Sequence, residues 1–321
     1  MIDRVLGRTG IRVSAVSFGA GPVSGLMTGT DFDAQRATVG RAIEAGVNWF
    51  DTAADYGQGQ SEANLGRVLA ELDAAERVHV ATKVRVPLDL AEPVADYVRR
   101  SVKESLERLR LPRVTLLQLH NGITVRRGDE PASVSPADVL GAGGILDAMR
   151  RLRDDGAVRF LGLTGTGNPV AMREVIRSGA FDTLQVPFNI LNPSAGTAEP
   201  AADGETDYGN VIGDCVGKGM GVFAIRVFAG GALLDQPASA HTLKTPYFPL
   251  ALYERDRERA ARLRDRLAGR MSVAELAVRF ALSYPAVSSA IIGFGSPAHV
   301  DEVAHFPLGE PLPGDLECVV S

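Results

Sequence analysis

Cysteine is nearly absent from this chain: Cys215 and Cys318 are the only two in 321 residues. Two thiols so far apart cannot brace a fold with a disulfide framework or build a zinc cage, and each reads as a buried or tail thiol. Long apolar runs are also missing. No stretch reaches the ~18 uninterrupted apolar residues that a membrane helix requires, and Met1 to Arg8 carries no apolar signal region. A cytoplasmic protein with no membrane partner is therefore expected. Positive charge is thin: 34 Lys and Arg stand against 39 Asp and Glu, for a formal net charge of -5. No basic block is dense enough to neutralise a run of phosphates, which argues against nucleic acid as a partner. Aromatic residues make up 6%, with a single Trp, few rings for walling a steroid-like cleft.

What is present is alternation. Short strand-like runs and longer amphipathic runs follow one another almost throughout, the pattern of repeated βα units around a parallel sheet. Eight units can be counted, with strands at 16–18, 47–50, 78–82, 114–119, 158–163, 183–186, 221–225 and 289–292. Helices are expected over 33–45, 61–72, 95–109, 145–155, 169–178 and 272–283, two of them opening at Ser61-Glu62 and at a capping box, Ser272 to Glu275. Gly46, Gly156, Gly179 and Gly219 sit where left-handed caps are needed before the next strand. The segment 5–13 reads as a hairpin that plugs the bottom of a barrel. The expectation is thus an α/β protein, a (β/α)8 TIM barrel in one domain over 1–321, with an N-terminal hairpin and long loops at the C-terminal rim. Three connections, 121–144, 191–208 and 226–249, are long enough to wall a substrate pocket, and Asn121, Arg126, Arg127, Asn189 and Tyr247 are candidates to touch the substrate.

Three of the strands end in a titratable residue. The run Trp49-Phe50-Asp51 delivers a carboxylate with Tyr56 five residues on, 78–82 ends at Lys83, and 114–119 ends at His120. Each alone has a structural reading: Asp51 as a helix cap, Lys83 as a solvated strand end, His120 as a core histidine. Together they suit proton transfer. An ammonium beside a phenol stabilises the phenolate and lowers its pKa, an aspartate keeps the lysine charged and aimed, and a histidine orients or polarises the same substrate oxygen. Hydride must then come from a cofactor, because no side chain supplies one. The chain has too few strand-end carboxylates and histidines for a metal-dependent barrel, so no metal is expected. Gly19 to Gly25 superficially matches a dinucleotide-binding glycine turn, but Pro22 and the lack of a following helix argue against it.

The same residues carry a resemblance. Leu6 to Gly10, Gly46-Val47-Asn48, Asp51-Thr52-Ala53, Tyr56-Gly57, Gly59 to Glu62, Leu65-Gly66, Ala81-Thr82-Lys83, Leu117 to His120 and Arg159 to Leu163 resemble the aldo-keto reductase superfamily over nearly the whole chain, in the branch that includes sugar and pyridoxal dehydrogenases. The resemblance implies a (β/α)8 barrel, a nicotinamide dinucleotide bound extended without a Rossmann domain, and a catalytic tetrad of Asp51, Tyr56, Lys83 and His120. An enzyme interconverting a carbonyl and an alcohol, with Tyr56 as general acid and base and a small aldehyde, aldose or similar polar compound as substrate, is the expected activity. The alternative from another class is a cofactor-binding regulatory or partner-binding barrel resembling potassium-channel auxiliary subunits.

Cofactor positions implied by the resemblance are Gly19, Ala20, Gly21 and Asp51; Thr164 and Gly165, where relatives carry Ser-Asn; Gln185, matching the glutamine that holds the carboxamide; and Ile225, Arg226 and Phe228, where many relatives place an aromatic ring. Arg226 is a candidate for the pyrophosphate. The stretch Gly293, Phe294, Gly295, Ser296 with His299 and Glu302 resembles the adenosine loop, yet lacks the Lys or Arg that usually grips a 2'-phosphate. NADP and NAD both stand as cofactors. Substrate identity, direction in the cell and oligomeric state are left open by the sequence.

Overall fold

The structure is a computed structural model that describes residues 1–202, 204–244 and 250–313. A hairpin opens the chain: β1 (Asp3–Val5) pairs antiparallel with β2 (Arg12–Ser14), joined through a 3-10 turn at Gly7–Thr9. Eight strands follow: β3 (Val16–Gly19), β4 (Trp49–Asp51), β5 (His79–Val84), β6 (Val114–Leu119), β7 (Val158–Thr164), β8 (Thr183–Pro187), β9 (Gly221–Ile225) and β10 (Val287–Ile292). They close a barrel in chain order, β10 returning to pair with β3, and every neighbouring pair is parallel.

Between strands run α1 (Phe32–Glu44), α2 (Gln60–Glu71), α3 (Val94–Leu109), α4 (Pro136–Leu140), α5 (Ile145–Asp154), α6 (Pro169–Arg177), α7 (Val211–Val216), α8 (Leu250–Leu267) and α9 (Val273–Ser283), and α10 (Pro297–Ala304) follows β10. The expected eight-unit barrel is present. Each parallel return needs a crossover, and the helices supply it while covering the outer face of the sheet. A continuous core lies in that shell, from Val39 and Val68 through Met149 and Val175 to Leu276. A separate cluster fills the lower interior of the barrel, where Leu6, Ile11 and Val13 of the hairpin meet Trp49, Leu116 and Phe223. The hairpin is therefore a plug, as its sequence suggested.

Local signals explain most boundaries. Gly46, Gly156, Gly179 and Gly219 all have positive φ. At the start of α9, Ser272 accepts from the Glu275 N–H, but the Glu275 carboxylate turns to Arg279, so only half of the expected capping box forms. The expected opening of α2 at Ser61 is corrected too. Gly59 is its N-cap, and Ser61 and Glu62 are buried ties to the barrel: Ser61 Oγ donates to Ala20 O at 2.8 Å, while Glu62 accepts from Thr82 and from Arg108. The reciprocal capping box occurs instead at Ser135 and Asp138 of α4. Cys215 is buried in α7; Cys318 and Tyr247 lie outside the described residues. None of the described helices is long and apolar enough to cross a membrane.

Candidate active site

Adjacent strands β4, β5 and β6 bring three of the four candidates together, because each ends at the same rim. Asp51 closes β4, Lys83 lies one residue before the end of β5, and His120 directly follows β6, its N–H donating to Val84 O at 2.8 Å. Lys83 Nζ is the hub. It donates to Asp51 Oδ1 at 2.5 Å, to Thr52 O at 2.8 Å and to Tyr56 Oη at 3.3 Å. Lysine is 1% exposed and aspartate 3%, so the pair sits where an isolated charge would be strongly disfavoured and a partnered one is held. Gln118, the cross-strand neighbour of Lys83, completes the shell by donating to Asp51 Oδ2 at 3.0 Å. Tyr56 meets His120 edge to face, ring centroids 5.6 Å apart.

Electrostatics differ in one respect from the sequence expectation. Burial raises the Tyr56 pKa and outweighs the lowering by the Lys83 ammonium, with Asp51 and Asp55 adding to the rise. The phenol is therefore a firmly held proton at neutral pH rather than a group already tuned toward phenolate. Lys83 goes up as well: burial opposes its charge, but Asp51 and Tyr56 outweigh that and keep it an ammonium. His120 is pushed down to about 4 by burial, with Asp55 opposing and Arg85 and Lys83 assisting, so it is neutral at pH 7. Its Nδ1 stands 3.0 Å from Asp55 Oδ1, off the line of a well-formed hydrogen bond. Arg85 Nε donates to Asp55 Oδ2 at 2.8 Å. Burial pushes the Asp55 carboxyl up, yet His120 and Arg85 together hold it well below the usual carboxylate range.

Asp55, Arg85 and Gln118 were missed at the level of sequence. The signal available was position alone: Asp55 abuts Tyr56, Arg85 follows Lys83 by two, and Gln118 precedes His120 by two.

Several cofactor candidates share the rim. Thr164 neighbours Gln185 across β7 and β8. The Thr164 hydroxyl is buried with no partner, and no hydrogen bond ties the Gln185 side chain among the described residues. Ser24 Oγ is likewise buried and unpartnered, close to where a Cβ on Gly293 would lie. Buried polar atoms left open in this way fit a polar ligand such as a nicotinamide carboxamide and the phosphates beyond it. Gly21 faces the Tyr56 ring, where a Cβ would come within 3.5 Å of it. Ala20 is buried, and its N–H donates to Asp51 O. Gly19 serves packing: a Cβ there would meet Ile291 at 3.0 Å. A side chain at Gly165 would meet Val186 at 3.0 Å and Leu184 at 3.1 Å, which accounts physically for the missing amide.

The remaining candidates divide. Ile225 and Phe228 are partly buried against the core clusters. Arg226, at φ +53, faces Tyr208, Asp256 and Glu205, and lines a small cleft with Asn192 and Asp256. Phe294 turns its ring onto Phe18, centroids 5.5 Å apart, so only its main chain can reach a ligand. Ser296 is the N-cap of α10 with no side-chain cap bond, but His299 Nδ1 accepts the Gly295 N–H at 3.3 Å and so takes up one loop donor. Glu302 is exposed on α10.

Of the loop candidates, Asn121 is fully buried and braces Val86 and Ala132, and Asn189 caps the turn at Leu191 and Asn192; both are structural. Arg127 is engaged by Asp138 and by Pro87 and Leu88 carbonyls beside a cavity of about 290 Å³ that the tetrad does not line. Arg126 is exposed and pairs with Asp129. Burial lowers the pKa of His241, on the third long loop, and the Asp55 charge opposes that shift.

A parallel barrel with a buried lysine, a carboxylate and a phenol at its C-terminal rim defines a class of oxidoreductase. The chain belongs to the aldo/keto reductase family, whose model matches residues 15–307, and it is an NAD(P)-dependent oxidoreductase. L-galactose dehydrogenase of Arabidopsis thaliana is 29% identical over 301 residues, covering 93% of this chain and 86% of that protein. D-threo-aldose 1-dehydrogenase of a Pseudomonas species is 25% identical over 326 residues, covering 92% and 90%. Among solved structures, the holo form of an aldo-keto reductase from Bacillus halodurans superposes with a TM-score of 0.74 at 21% identity, covering all of this chain and 95% of that one, a likeness of fold.

Proposed function

We propose that the protein interconverts the carbonyl and alcohol forms of a small polar aldehyde or aldose, with Tyr56 as general acid and base and NADP or NAD as hydride carrier. The observation that supports this reading is Lys83 Nζ set between Asp51 and Tyr56. Bound at the rim, the cofactor supplies the hydride that no side chain can. Thr164 and Gln185 would hold its carboxamide, and the main chain of 293–296 its adenosine end.

Tyr56 keeps its proton at neutral pH and delivers it to the carbonyl oxygen as negative charge grows there. Lys83, kept cationic by Asp51, stabilises the phenolate left behind; in the reverse direction that phenolate takes the hydroxyl proton. Partial burial of the phenol keeps water from competing for this proton. The relatives named for sugar substrates, together with the polar groups around Asp55 and His241, favour a hydroxylated compound over an apolar one.

The test is a panel of aldehydes, aldoses and pyridoxal, with the corresponding alcohols, assayed with both cofactors. Tyr56→Phe should lower kcat by about a hundredfold to ten-thousandfold while cofactor affinity stays the same. Unchanged turnover in that variant would sink the role of Tyr56, and no binding of either cofactor would sink the reading as a whole. Preference for NAD would point to oxidation of a sugar lactol or alcohol, and preference for NADP to reduction of an aldehyde.

A further inference from the structure

Tyr56 lies in the turn between β4 and α2, not in a helix or strand. Gly57, Gln58 and Gly59 follow it with φ of +58°, +56° and +88°, three left-handed residues in a row that no regular element accommodates, so the place of the phenol is set by what grips the turn. The grip is Ser61, second residue of α2 and fully buried. Its N–H donates to Tyr56 O at 3.2 Å, its Oγ donates to Ala20 O at 2.8 Å, and the same Oγ stands 2.8 Å from Thr52 Oγ1. A hydroxyl has one hydrogen and a carbonyl cannot donate, so the Ser61 hydrogen goes to Ala20 O and Thr52 supplies the one between the two hydroxyls. Thr52 is thus held at both ends: its hydroxyl by Ser61, its carbonyl by the Lys83 ammonium at 2.8 Å. Next in the chain, Glu62 accepts from Thr82 Oγ1 at 2.5 Å and from Arg108 Nε at 2.7 Å, which pins β5 one residue before Lys83.

We infer that Ser61 is a positioning residue for proton transfer: by gripping Thr52 and the Tyr56 main chain from one point on α2, it sets the 3.3 Å separation of Lys83 Nζ from Tyr56 Oη. This rests on Tyr56 as the acid and base of the reaction proposed above. The two grips are separable. The hydroxyl reaches the ammonium through Thr52, whereas the main-chain N–H reaches the phenol through Tyr56 O, so Ser61→Ala loosens one side of the pair and leaves the other anchored. Alanine there leaves Thr52 Oγ1 and Ala20 O, both in fully buried residues, short of a partner. Thr52 then turns to find another and draws its carbonyl off Nζ. Burial raises the Tyr56 pKa and the Lys83 ammonium opposes that rise, while Asp51 and Asp55 add to it; a lysine held farther off lets the pKa climb further.

Proton–nitrogen-15 correlation spectra of the lysine ammonium groups, taken on the full chain at neutral pH, read this directly, because only a buried and fully bonded ammonium exchanges slowly enough to be seen. Lys103, Lys218 and Lys244 are exposed, so Lys83 should give the slow signal, assigned by its loss in Lys83→Met. Ser61→Ala should speed that exchange by about tenfold or more, the worth of one hydrogen bond from a charged donor. Thr52→Val, which removes the other hydroxyl at nearly constant volume, should do the same. In turnover, Ser61→Ala should lower kcat for alcohol oxidation at pH 7 by about tenfold with KM kept, and the loss should shrink as the pH is raised. Unchanged ammonium exchange in both variants, or a Ser61→Ala pH profile that superimposes on the wild type, overturns the proposal; if Ser61→Ala does not fold, Thr52→Val decides by the same two readings. The spectra need neither cofactor nor turnover. A faster Lys83 exchange beside unchanged turnover in Tyr56→Phe would therefore mark failure of the redox reading and not of the geometry that Ser61 sets.

Discussion

Lys83 is the residue on which the site depends, and its burial makes it fragile. At 1% exposure it is tolerated only because Asp51, Thr52 O and Tyr56 surround the ammonium. Lys83→Met would leave Asp51 buried with Gln118 as its remaining side-chain partner, at a cost of about 3–5 kcal/mol, and urea unfolding should show that loss together with abolished turnover. His120 gives a pH signature. Its folded pKa is lowered to about 4 against about 6.5 for a free imidazole, so the unfolded chain takes up a proton first. Stability contributed by the neutral ring is fully present above about 6.5 and is lost as the pH falls toward about 4, by about 1–3 kcal/mol. His120→Asn should flatten the dependence of the urea midpoint in that window. The Asp55 carboxyl, held below its usual range, acts in a lower window, from about 4 downward.

At the scale of elements, the contact of α2 with α3 is set by a missing side chain. A Cβ on Gly66 would lie 2.5 Å from the backbone carbonyl of Leu109, and a main-chain atom cannot turn aside. Gly66→Ala should cost about 2–3 kcal/mol by forcing the helices apart, read as a lowered urea midpoint. Such a position is visible in the sequence as a glycine inside a helix but not explained by it. Elements as such were legible because period-two apolar runs alternate with amphipathic ones, and the eight strands fall within a residue or two of their expected places. The helix α8 was harder to see, since its stretch from Tyr253 to Arg266 is dense in Arg, Asp and Glu, several of which tie down a loop: Arg255 and Arg259 both donate to Glu205. The convergence of Asp51, Tyr56, Lys83 and His120 could be read because strand ends at one rim come together whatever the loops do. Asn121 and Asn189 could not, because an amide in a loop looks the same whether it braces backbone or waits for substrate. Asp55 stayed hidden for the opposite reason: its partners, 30 and 65 positions away, meet it only once β4, β5 and β6 are side by side.

Across the molecule, the hairpin and the barrel depend on one another. Gly7, at φ +47, lies so close to β9 that a Cβ would stand 2.2 Å from Gly221 N. Gly7→Ala should therefore unseat the plug from Trp49, Leu116 and Phe223, and a thermal melt should show Tm lowered by about 5 °C or more, with little effect on kcat at temperatures where the chain stays folded. Trp49 is the one tryptophan in the chain, tucked between Phe223 and His79 with its Nε1 shielded. It lies two positions before Asp51 on the same strand, hence on the same inward face and about 7 Å below the carboxylate. The chain thus carries a built-in optical probe: a single indole emitting from a dry interior, whose light a reduced nicotinamide docked overhead would absorb, so that loading of the rim and loosening of the base can be followed by one signal.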